Sequence, residues 1–193
     1  MSSVPRPHLT PEQYLAIERA AEVKSEFYDG QMYAMAGASF RHNQITSNLL
    51  INLGIQLRGG PCRPLGSDLR VAFGGGEYTY PDITVVCGTP QFVDGAFDTL
   101  TNPRVIFEVL SPSTRNWDRA GKFAHYQRLA SLQHYVLIGQ EIPAVEQHDR
   151  QADGSWLLTE MTWPHGILIL DSIAAAISLR EVYLDIFSPD EPI

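Results

Sequence analysis

Two carboxylates stand where carboxylates are costly. Glu108 interrupts the otherwise apolar run Val105-Ile106-Phe107-Glu108-Val109-Leu110, and Asp82 follows Tyr80-Pro81 at the start of the apolar stretch 83–86. An ionisable group inside a buried strand is stable only when it is paired or bound to a cation. A second carboxylate on the neighbouring predicted strand supplies a reason for both. Two converging acidic side chains suit Mg²⁺ (or Mn²⁺), since Mg²⁺ commonly takes one or two carboxylates and keeps several waters. A cation so held can polarise a phosphoryl oxygen and generate hydroxide near neutral pH.

A third element adds positive charge. After Ser111-Pro112-Ser113-Thr114 a helix is expected over 115–130, in which Arg115, Asp118, Arg119, Lys122 and Tyr126 recur at intervals of three and four and share a face. Trp117, Ala120, Ala124 and Leu129 tend to the other side. Lys122 can then point back to the sheet edge and hold a phosphate or orient an attacking water. A solvated helix position, paired with Asp118, is the plainer reading of the same lysine. No serine or cysteine has a paired histidine in an identifiable arrangement, so water is the expected nucleophile.

The elements that must position these groups follow from pattern. Thr10-Pro11-Glu12-Gln13 is a helix start with a capping box, and the helix runs to about Ala21. Asp29-Gly30 within 27–33 signals a hairpin. Ile45, Leu49, Leu50, Leu53 and Leu57 mark a helix over 41–57. Strands are expected over 65–73 and 78–86 around a Gly74-Gly75-Gly76 turn, then over 105–110 and 135–138, with a loop over 91–102. Residues 144–148 and 156–162 form a peripheral hairpin around Asp153-Gly154, and Ser178 with Glu181 opens a short helix over 179–187. The sum is an α/β (α+β) domain with a mixed central sheet flanked by helices. Residues 1–193 make one such domain, with flexible ends at 1–8 and 188–193.

The segments Glu26-Phe27-Tyr28-Asp29-Gly30, Tyr80-Pro81-Asp82-Ile83-Thr84-Val85-Val86, Phe107-Glu108-Val109-Leu110-Ser111-Pro112-Ser113-Thr114 and Asp118 through Lys122 to Tyr126 resemble the Uma-two family of the PD-(D/E)XK nuclease superfamily. The resemblance spans Thr10 to about Gly139 and is most specific over 108–114. It implies a restriction-endonuclease-like core, Asp82 and Glu108 as metal ligands, and Glu26 as an additional acidic position. The superfamily pattern places a lysine at position 110, where this chain has Leu110. Lys122 is the natural replacement.

Charge bounds the partner. The chain carries 14 Lys and Arg against 22 Asp and Glu, a formal net charge of −8. Duplex binders usually present a basic stripe, so strong non-specific DNA affinity is not expected. Arg115, Arg119 and Lys122 supply one local basic patch, and Arg58, Arg63 and Arg70 a looser one. Two functions are left standing. One is an Mg²⁺- or Mn²⁺-dependent endonuclease acting on DNA, with a homodimer expected by analogy from the two strands of its substrate. The other is a catalytically inactive nuclease-fold module that binds a protein or nucleic-acid partner. A small phosphodiester would sit more easily with the negative charge.

Several features read as structural. Asp68 reads as a carboxylate on the surface or just behind the site, His42 reads as part of a polar helix start although the resemblance also makes it an active-site neighbour, and the remaining histidines lack metal-ligand spacing. The three tryptophans, Trp117 among them, read as packing residues rather than base-stacking platforms. Cys62 and Cys87 are too few for a disulfide scaffold, and Cys87 reads as a small packed hydrophobe. No secretory leader or membrane span is evident, so a cytoplasmic protein is expected.

Overall fold

The computed structural model describes residues 8–112 and 114–188. The expectation of flexible ends falls almost wholly outside them, as does Ser113 of the Ser-Pro-Ser-Thr segment. Helix α1 (Pro11–Ala20) starts where predicted, with the Thr10 hydroxyl accepting from Gln13 N–H and the Gln13 side chain returning to Thr10 N–H. Strands β1 (Ser25–Tyr28) and β2 (Gln31–Ala34) are joined by Asp29 and Gly30, both at positive φ, as a two-residue hairpin turn demands. Helix α2 (Phe40–Gln56) is capped by Ser39 and buries Ile45, Leu49 and Leu53 at four-residue spacing.

The two long strands expected next are each broken in half. Residues 65–73 divide at a turn in which Leu69 N–H donates to Gly66, giving β3 (Cys62–Gly66) and β4 (Arg70–Gly74). Residues 78–86 divide at Tyr80-Pro81-Asp82, where Pro81 has no N–H for a ladder, giving β5 (Glu77–Thr79) and β6 (Ile83–Cys87). In both cases the halves enter different sheets. The expected loop holds a two-residue strand, β7 (Thr99–Leu100), before β8 (Pro103–Leu110).

The helix predicted over 115–130 is shorter and partly of another kind. Residues Trp117–Lys122 form a π-helix that continues as α3 (Phe123–Tyr126). It ends early because the Arg150 guanidinium donates to the carbonyls of Gln127, Leu129 and Leu132, leaving Leu129 and Leu132 to turn into the core. Strand β9 (His134–Gly139) follows, then the expected hairpin of β10 (Ala144–Arg150) and β11 (Trp156–Thr162). A hairpin not anticipated, β12 (Ile167–Leu170) and β13 (Ala175–Ser178), precedes α4 (Leu179–Val182), which is capped by Ser178 but stops short of Phe187.

The six-stranded sheet has the order β11-β10-β9-β8-β6-β3, with only β8 and β9 parallel. The five-stranded sheet has the order β2-β1-β5-β4-β7. One face of the larger sheet packs Val105, Phe107 and Val109 against α2, the β12–β13 hairpin and α4. Its other face packs Ile106 and Leu110 against Val71 and Phe73 of the smaller sheet and against Tyr126 and Leu129. Helix α1 covers the far side of the smaller sheet through Tyr14 and Leu15. The architecture is mixed α/β, as the pattern predicted, although the mixed central sheet is accompanied by a second one.

The cysteine reading is overturned. Cys62 and Cys87 face each other across β3 and β6, with Cα atoms 4.0 Å apart, and form a disulfide. Their 25-residue separation concealed a pairing that only strand register reveals.

Candidate active site

The break at Pro81 puts Asp82 at the corner between the two sheets. Ile83 is paired with Phe107 in antiparallel register, so one step further Asp82 lies beside Glu108. There the β6 backbone no longer serves β8, and Asp82 Oδ2 itself accepts the Val109 N–H at 2.7 Å. Alternation along β8 sends Glu108 to the side of Ile106 and Leu110, facing the smaller sheet and the π-helix.

Lys122 fills the space between the sheets. Its Nζ lies 2.9 Å from Glu26 Oε1 on β1, 3.2 Å from Glu108 Oε1 and 3.4 Å from Asp118 Oδ1 one helical turn back. Glu26 also accepts from the Thr79 hydroxyl at 2.6 Å, and Glu108 from the Tyr126 hydroxyl at 3.0 Å. Asp82 receives a further contact from His42 Nε2 at 3.1 Å. The structure thus brings Asp82, Glu108, Lys122 and Glu26 into one cluster. Asp68 stays outside it, on the surface beside Lys24.

The electrostatics are those of a carboxylate excess around one cation. Burial pushes the Glu108 carboxyl well above the usual range, and Asp118, Asp82 and Glu26 push it the same way while Lys122 opposes them. Burial likewise raises Asp118, with Lys122 offsetting part of the effect. Burial alone would pull Lys122 down, but Glu108, Glu26 and Asp118 more than reverse that and hold it well above the ordinary lysine value. Lys122 therefore stays charged, and Glu108 and Asp118 are the carboxyls that burial makes resist ionisation.

The polar face of the helix was recognisable, but its direction was not. Asp118, Lys122 and Tyr126 point inward, while Ala120 and Ala124 are exposed. Arg119 turns outward to Glu146 at 2.6 Å, and Arg70 is buried against Asp98 at 3.0 Å. Of the first basic patch expected from the sequence, Arg119 and Lys122 are committed to carboxylates while Arg115 is exposed; of the second, Arg70 is buried while Arg58 and Arg63 are exposed. Asp118 and Tyr126 enter the cluster through the same four-residue spacing that marked Lys122. His42, in the first turn of α2, meets Asp82 as the resemblance allowed, where its polar helix-start context alone gave no such signal.

Glu108 and Asp82 could hold a hard divalent cation. Four carboxylates against one lysine leave an excess of negative charge, and oxygen is the donor such ions prefer. Among the described residues no group of three or more His, Cys, Asp or Glu side chains is arranged to hold an ion. A two-carboxylate set completed by water matches the habits of Mg²⁺ better than a fully protein-built cage.

A family model described as "Putative restriction endonuclease" matches residues 11–180. The chain belongs to the Uma2 family. Two uncharacterized Synechocystis proteins are similar to it. The one designated sll1609 is 39% identical over 154 residues, covering 79% of this chain and 87% of that one. The one designated slr1290 is 38% identical over 157 residues, covering 81% and 82%. The fold is shared with a crystal structure from Anabaena variabilis described as "a putative nuclease belonging to DUF820", at a TM-score of 0.76 and 20% identity, covering 91% of this chain and 97% of that one. Uma2 membership supports a nuclease-like function. Among the described residues no helix is long and apolar enough to cross a membrane.

Proposed function

We propose that the protein is a divalent-metal-dependent endonuclease that hydrolyses nucleic-acid phosphodiester bonds at the Asp82–Glu108 site. The observation that carries this reading is the placement of Asp82, one residue before β6, beside Glu108 of β8, with Lys122 on Glu108. Asp82 and Glu108 would hold the metal, Mg²⁺ or Mn²⁺, and Glu26 is an additional acidic group close by. A bound ion of this kind polarises the phosphoryl oxygen and lowers the pKa of a coordinated water.

The chain's own groups do the rest. Lys122 supplies fixed positive charge for the phosphorane oxygens as negative charge builds there. Its reach is set by three carboxylates, which keep it protonated and prevent it from swinging into solvent. Tyr126 fixes one Glu108 oxygen, and the Val109 N–H with His42 fixes one Asp82 oxygen, so each carboxylate keeps its second oxygen for another partner.

A binding module without catalysis is favoured by a different observation. Several basic side chains are tied up, Lys122 inside the cluster, Arg119 on Glu146, Arg70 on Asp98 and Lys24 on Asp68. Titration of the protein with Mn²⁺, followed by electron paramagnetic resonance, separates the two. The endonuclease reading expects one bound ion per chain that is lost in Asp82→Asn, and conversion of supercoiled plasmid that stops with chelator. Mn²⁺ binding indifferent to Asp82 would contradict it.

A further inference from the structure

The hairpin that carries Glu26 also carries an aromatic stack. Tyr28 and Tyr33 lie ring on ring, with centroids 4.1 Å apart and planes 12° from parallel. Trp117 packs against Tyr28 from the other side, tilted by 31° with centroids 4.6 Å apart. Trp117 has room only because residue 121 is glycine, since a Cβ there would come within 1.9 Å of the indole. Trp117 is therefore a packing residue, as its sequence context suggests, but what it packs is the base of a platform. The outermost ring, Tyr33, remains 43% exposed.

Position decides what this platform could serve. Tyr33 is directly opposite Glu26 in the β1–β2 register, on the same face of the hairpin. Directly opposed Cβ atoms lie about 5 Å apart. Glu26 is in turn 2.9 Å from the Lys122 ammonium. Tyr33 thus stands one residue from the carboxylate cluster, within the span of the sugar that separates a base from its own phosphate.

We propose that Tyr33 is a stacking site for an unpaired nucleobase, which makes single-stranded DNA the preferred ligand of the Asp82–Glu108 site. This rests on the endonuclease reading above and names its substrate. In duplex DNA both faces of each base are covered by neighbours, and exposing one to Tyr33 costs unstacking. A single strand offers that face at little cost, and every base has one. The chain's charge argues the same way. With a net charge of −8, and with Arg119 and Lys122 of the π-helix held in ion pairs, phosphate contacts beside the cluster contribute little affinity, so base contacts must supply much of it.

Binding of a fluorescein-labelled single-stranded oligodeoxynucleotide, followed by anisotropy in the Asp82→Ala background so that nothing is cut, tests this. Tyr33→Ala is expected to weaken single-strand binding about ten-fold, the loss of one stacked base. Tyr33→Phe keeps the ring and should bind within about two-fold of the parent. Phe97→Ala, which removes a 70% exposed ring away from the stack, should bind like the parent. The matching duplex should bind more weakly and be indifferent to Tyr33. The proposal is overturned if the parent binds single strand no better than duplex, if Tyr33→Ala equals the parent, or if Tyr33→Phe falls as far as Tyr33→Ala. The endonuclease reading fails by a different result, cleavage that survives loss of both carboxylates, which leaves these binding constants untouched.

Discussion

Lys122 Nζ and Glu108 Oε1 lie 3.2 Å apart, with the two side chains only 8% and 5% exposed. A charge pair so placed is costly to break from one side, because the remaining charge stays buried without its partner. Lys122→Met should therefore cost about 3–5 kcal/mol of unfolding free energy, measured by urea denaturation. Burial already raises the Glu108 and Asp118 carboxyls, and without Lys122 to oppose it they will resist ionisation more strongly, so the deficit should grow with rising pH. A loss below about 1 kcal/mol, typical of an exposed pair, would contradict the burial on which this rests.

Glu108 sets a pH dependence of its own. Its folded carboxyl titrates well above its free value. Between those two points the native state binds more protons than the unfolded chain, so stability is full below the unfolded value and falls as pH rises through the folded one. In chelator, Glu108→Gln should remove that decline and melt higher than the wild type on the alkaline side. Parallel melting profiles for the two proteins across acid and neutral pH would count against the burial effect.

The Cys62–Cys87 bond closes a loop of 25 residues at the edge of the larger sheet. Chain-entropy arguments assign such a crosslink about 3 kcal/mol. A Cys62→Ser, Cys87→Ser variant should lose about that much stability, while its metal binding is retained because Cys87 lies at the end of β6 opposite Asp82. Equal melting with and without reductant would show that the bond contributes nothing.

Gly121 meets the Trp117 ring with no space for a methyl group. Gly121→Ala should cost about 1–3 kcal/mol, as overpacking does, and should shift tryptophan emission because the indole must leave its place on Tyr28. Unchanged emission would mean that the ring adapts without moving.

Much of the fold was readable because the signals were local. The Thr10–Gln13 capping box, the Asp29-Gly30 turn and the apolar run around Glu108 each specify an element within a few residues. The strands over 65–73 and 78–86 each hide a corner between two sheets, at 67–69 and 80–82, because residues of high strand propensity flank the polar break on both sides and a switch of sheet leaves little trace in periodicity. The direction of the Asp118–Lys122–Tyr126 face was hidden for a related reason. Polar residues on one helix face ordinarily mean solvent, and only the opposing carboxylates Glu26 and Glu108, distant in sequence, make that face an interior one. His42 and the disulfide likewise depend on contacts between distant segments, 40 and 25 residues apart.

Nicking of supercoiled plasmid in Mg²⁺ or Mn²⁺ by the wild type and by an Asp82→Ala, Glu108→Ala double variant bears most directly on the central claim. Both proteins should first be shown to be folded by circular dichroism. The account predicts nicking by the wild type and none by the variant, with chelator abolishing the wild-type reaction. Equal nicking by both proteins, or none by either on plasmid and single-stranded DNA alike, would contradict an endonuclease site at these two carboxylates.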